Sequence, residues 1–167
     1  MATCQMDDNE KKVLVSEQEY LILATCVYER AKGYFMISKT VERDYGTKYL
    51  YQYFSIISFA CELFMKSLLL RQKFGIKSMH DLTRLFSLLG EDVRNAIKDK
   101  HPCGNIPRDQ FDKNLKHIGK AFTACRYDYE FMTLAWNGRF LQELVYALNE
   151  YCTSIFEESE FGVSHNE

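Results

Sequence analysis

Apolar residues recur at three- and four-residue steps along most of this chain, and strict apolar–polar alternation persists nowhere. That pattern predicts helices and no sheet. Ser16-Glu17-Gln18-Glu19 reads as a capping box, in which a hydroxyl and a carboxylate each satisfy an orphan backbone N–H. It opens a helix to about Lys39 with the stripe Leu21, Ala24, Val27/Tyr28, Ala31 and Tyr34/Phe35. Gly46-Thr47 marks a second start, and the pattern then runs without Gly or Pro to Phe74, with Gly75 as its stop. At 1.5 Å per residue this second helix is about 40 Å long, enough to be a spine. Ser78 suits the cap of a short third helix from Met79 to Leu89, ended by Gly90. Glu91 to Lys100 has helical composition, and the Pro/Gly-containing run from His101 to Pro107 reads as a loop. A fourth helix is expected from about Asp109 to Tyr129, with Phe111, Leu115, Ile118, Phe122 and Cys125 on one stripe. Asn137 is placed to cap a last helix to about Glu158. The expected fold is all-α, an up-and-down bundle of four to five helices over residues 15–158, with a disordered segment at 1–14 and a polar tail at 159–167. Phe54, Ile57, Cys61, Phe64 and Leu68 of the spine are expected to pack on Phe111, Leu115, Ile118 and Phe122.

Composition narrows the functional classes. At 167 residues the chain can bury a core without metals or disulfides. Twelve Phe and eleven Tyr are many for one small core, which points to self-association. A net charge of −2 excludes a surface uniformly covered in positive charge, so nucleic-acid binding would need a local patch. The six cysteines form no Cys-x-x-Cys pair, which removes zinc knuckles and thioredoxin-like motifs. Cys26, Cys61, Cys125 and Cys152 fall among apolar helical positions and are expected to act as small hydrophobes. No apolar leader is seen at the N-terminus, and the reading is a reduced, cytoplasmic protein. The run from Phe54 to Leu70 is interrupted by Glu62 and Lys66 and is expected to fall short of a bilayer span, so no membrane partner is expected.

Polar residues on the apolar helices are the candidate chemistry. Glu62 and Lys66 stand four apart in the favourable order, within the stripe Ser55, Ser58, Glu62, Lys66 and Lys73. The stripe is either a solvated face with one weak pair or the floor of a groove. His80 and Asp81 are expected in the first turn of the third helix. Arg126, Tyr127, Tyr129 and Glu130 bring a planar cation, two phenols and a carboxylate into one turn, suited to phosphate contact and stacking or to an internal Arg126–Glu130 pair. Lys113, Lys116, His117 and Lys120 share a face that could follow a phosphate backbone or be merely solvated. Arg94 and His101 could supply the cation and the general base of metal-free RNA cleavage. No Walker loop, nucleophile elbow, metalloprotease helix or dinucleotide fingerprint is present, and neither a metal nor a cofactor is expected.

Glu62-x-x-x-Lys66, then His80-Asp81-Leu82 followed by Leu85 and Leu89, then Phe122-x-x-x-Arg126-Tyr127-x-Tyr129-Glu130, taken in that order, resemble the HEPN domain family over roughly Glu17 to Glu158. The resemblance implies a small helical bundle, usually dimeric, that binds nucleotide or RNA. Some such domains are toxins or defence ribonucleases, and some pair with a minimal nucleotidyltransferase. Its ribonuclease branch uses Arg-x4-6-His, commonly with Asn, His or Asp after the arginine, and Arg94-Asn95 to His101 fits that spacing. The motif here precedes a Pro/Gly loop in mid-chain, whereas the family usually carries it on a later, regular helix. The expected function is therefore binding through Glu62, Lys66, His80, Asp81, Arg126, Tyr127, Tyr129 and Glu130. A metal-independent endoribonuclease is the alternative, and a partner-binding bundle, with a nucleotidyltransferase among the candidate partners, is the third reading.

Overall fold

Seven helices and no strand make up the described residues of this computed structural model, which are 16–46, 48–75, 78–101, 108–126 and 137–161. The chain is all-α. Its helices are α1 (Glu17–Tyr45), α2 (Leu50–Arg71), α3 (Leu82–Leu88), α4 (Glu91–Lys100), α5 (Arg108–Ile118), α6 (Ala121–Arg126) and α7 (Gly138–Phe161). The expected disordered segment 1–14 lies outside the described residues, and α7 runs on to Phe161, into what reads in sequence as a polar tail.

The first cap forms as its residues dictate. Ser16 Oγ accepts from the Glu19 N–H while Glu19 Oε2 accepts from the Ser16 N–H. The helix then passes Lys39 and continues to Tyr45, because Val41 still packs on the core and Glu42 accepts a hydrogen bond from Gln142 of α7. Gly46 ends it at a positive φ of 53°, which a residue with a Cβ adopts only at a cost. The α2 helix stops earlier than expected, at Arg71. Its last carbonyls are satisfied by Lys73 N–H to Leu70 O and Phe74 N–H to Leu69 O, the two bonds of a Schellman turn. Lys73 takes the left-handed position with φ 58°, so the stop is a lysine and not Gly75. An ion pair from Lys73 to Glu17 ties that turn to the start of α1.

Helices α1 and α2 form a tightly packed hairpin, with α7 laid across both. Ala24, Tyr28, Ala31 and Phe35 give α1 its core face, and Ile57, Ala60, Cys61, Phe64, Met65 and Leu68 fill α2. By length and composition α2 could cross a membrane, contrary to the expectation that the run is too short, but 67% of its most apolar window is buried within the protein. It is the spine of the core.

The expected fourth helix is two. Gly119 and Lys120 interrupt it, because Gly119 lies where a Cβ would stand 2.5 Å from Thr83 Oγ1. Its carbonyl accepts from the Leu82 N–H (2.8 Å), and Thr83 Oγ1 donates to Leu115 O (3.1 Å). The stripe is consequently shared between neighbours. Phe111 on α5 packs with Phe86, His101 and Phe140, whereas α6 packs on α2 with Phe122 stacked on Phe59. Leu115 and Ile118 are buried as expected, but α5 packs chiefly on α3 and α7.

Candidate functional site

Two polar groupings flank the start of α3. Its N-cap is Asp81, whose Oδ1 accepts from the Arg84 N–H at 3.0 Å, so His80 and Asp81 precede the helix and Ser78 does not cap it.

The first grouping is interior. Glu62 is 1% exposed in the middle of α2, with Lys66 Nζ 2.7 Å from Oε1. His80 Nδ1 lies 3.1 Å and 3.2 Å from the two carboxylate oxygens. Lys66 is itself largely buried, while the side chain of His80 keeps 54% of its surface in water. Phe122 of α6 stands 6.1 Å from the His80 ring and stacks on Phe59. The polar stripe on α2 is thus neither a solvated face nor an open groove floor at this point. It is a buried ion pair closed by an imidazole. Such a pair, removed from water, fixes where α2 and the approach to α3 meet, and its cation is already committed to Glu62.

The second grouping is open. A depression of about 610 Å³ lies between α3 and the α5–α6 turn, lined by Asp81, Thr83, Arg84, Ser87, Lys116, His117 and Lys120. The hydrogen bonds around Gly119 hold its two walls together. Among the described residues neither Arg84, Lys116 nor Lys120 forms an ion pair, and the carboxylate of Asp81 is occupied in capping α3. Lys113 falls outside the depression and pairs with Asp109 at 3.1 Å. Of the expected cationic face, Lys116, His117 and Lys120 come together and Lys113 does not. Sequence reasoning missed Arg84, Thr83 and Ser87, because the walls meet only through the close approach at Gly119. A glycine in mid-helix was the available signal.

The catalytic pair is differently placed. His101 ends α4 with only 3% of the residue exposed, its ring 5.4 Å from Phe111 and 4.9 Å from Phe140. Burial pushes its pKa below the ordinary histidine value, against the opposing charge of Glu143, whose Oε2 is 3.9 Å away. Arg94 donates from Nη1 to the Ser87 carbonyl at 2.8 Å. A ring enclosed by two phenylalanines is poorly placed to take a proton from a substrate hydroxyl. The expected roles of Arg94 and His101 are therefore corrected to structural ones.

Arg126 is the last residue of α6, and its side chain, together with Tyr127, Tyr129 and Glu130, lies outside the described residues. Cys61, Cys125 and Cys152 are buried as expected of small hydrophobes, but Cys26 is exposed. Burial raises the Cys61 and Cys152 thiols, which keeps them protonated and inert. No group of His, Cys, Asp and Glu among the described residues could hold a metal ion. No family model, curated protein or solved structure matches the chain.

Proposed function

We propose that this chain is a HEPN-like helical module that binds the phosphates of single-stranded RNA, or of a nucleotide, in the basic depression between α3 and the α5–α6 turn. The observation that carries the reading is that Arg84, Lys116 and Lys120 converge there without acidic partners among the described residues, with His117 beside them. Uncompensated cations on facing walls attract anions, and arginine supplies a planar fork for phosphate oxygens. Thr83 and Ser87 add hydroxyls to the same surface. The depression is shallow, which suits a backbone passing over it better than a base held inside it. Lys66 serves indirectly, because its pairing with Glu62 helps to position the start of α3.

Fluorescence anisotropy with a labelled single-stranded RNA tests the reading. Lys116→Ala and Lys120→Ala should each weaken binding by roughly 1 to 3 kcal/mol, the loss expected of a charge-assisted contact. Lys113→Ala should change little. Wild-type protein that fails to bind RNA or nucleotide at low salt would refute it. RNA cleavage that survives EDTA and vanishes in His101→Ala would instead favour the endoribonuclease.

A further inference from the structure

The side of α1 turned away from the core should be polar, and it is not. Ile22, Met36 and Ile37 are 55%, 58% and 52% exposed, and Cys26 is exposed with them. Gly33 lies on the same side with nothing within 4 Å of where a Cβ would stand. A glycine in the middle of a 29-residue helix is unfavourable, and nothing within the chain requires it. Close approach of another backbone would. We propose that two copies of this chain associate through these outer faces, α1 against α1, in parallel and about a two-fold axis.

Charge selects both the occupant and the direction. At about 100° per residue, Cys26 and Gly33 run along the midline of the face, with Glu29 about 50° to one side and Arg30 about 50° to the other. Neither Glu29 nor Arg30 forms an ion pair among the described residues. In a parallel two-fold pair each Glu29 faces Arg30 of the second copy, on both flanks. An antiparallel pair would set Glu29 against Glu29 and Arg30 against Arg30, which charge disfavours. The parallel arrangement also brings Met36 of the second copy to the depression of about 330 Å³ lined by Arg30, Gly33, Tyr34, Ile37, Phe59 and Leu63. Its apolar side chain fits the apolar part of that lining. Gly33 meets Gly33, so the backbones can approach.

Analytical ultracentrifugation of the full chain is the test, joined to crosslinking with a short bis-maleimide. The wild type should sediment as a dimer, and peptide mapping should recover a Cys26–Cys26 crosslink that Cys26→Ser removes. Glu29→Arg should weaken the dimer about tenfold or more by setting like charges together, and adding Arg30→Glu should restore it. Both changes lie on an exposed face and spare the fold. A monomer at about 100 µM would overturn the proposal, since even a modest interface associates there. A dimer indifferent to Glu29→Arg, or one lacking the Cys26–Cys26 crosslink, would overturn it equally.

Discussion

Glu62 shows how a single side chain can be indispensable without contributing net stability. Its carboxylate lies inside the bundle, held by Lys66 and His80, and the cost of removing those charges from water offsets most of their attraction. Removing one partner leaves the other uncompensated. Glu62→Leu should therefore destabilise the protein by about 3 to 5 kcal/mol in urea unfolding, whereas Glu62→Leu with Lys66→Met should recover most of that loss. Equal destabilisation in both variants would show that the pair does not act as a unit. His101 carries a different cost, that of a proton. Because burial lowers its pKa in the folded state, the unfolded chain binds protons more readily below the ordinary histidine value of about 6.5. The stability it contributes is complete above that pH and is lost as pH falls through the lower folded value. His101→Phe should flatten the fall in Tm between neutral and mildly acidic pH. An unchanged pH profile would count against a buried neutral imidazole.

At the scale of elements, the junction of α3 with α5 decides whether the basic depression exists. Gly119 lets the two helices touch, and a methyl group there must displace Thr83, which is itself bonded to Leu115 O. Gly119→Ala should cost about 1 to 3 kcal/mol and weaken RNA binding together with stability, because the walls separate. Binding that survives intact would mean that the depression is not the site. This junction also marks the limit of what the sequence discloses. The helices, the Ser16 capping box and the Asn137 cap were legible because they depend on residues three or four apart. The core faces of α1 and α2 were legible for the same reason. The split at Gly119 was not, since it arises from a contact with Thr83 that is distant in sequence. Likewise the α2 stop looked like Gly75, but a lysine held by Glu17 takes the left-handed position first. Glu62, Lys66 and His80 were legible as candidates one by one. Their enclosure was not, because spacing along a helix cannot say which neighbour will cover it.

On the scale of the whole molecule, net charge and local charge have to be separated. The chain is mildly acidic overall, at −2, yet it gathers its uncompensated cations on one side, where α3 meets the α5–α6 turn. The core hairpin and α7 form the frame on which that surface is mounted, and the buried Glu62 cluster fixes the approach to α3. Long-range repulsion from a net charge of this size is small at physiological salt, so a local patch can still hold a polyanion. The central claim is that this patch touches phosphates directly, and the salt dependence of RNA binding measures it. For single strands the slope of log K against log salt is about −0.7 for each phosphate neutralised, so Lys116→Ala with Lys120→Ala should shallow it by about 1.4. A slope unchanged in the double variant, with RNA still bound, would show that the phosphates are held elsewhere and contradict the account.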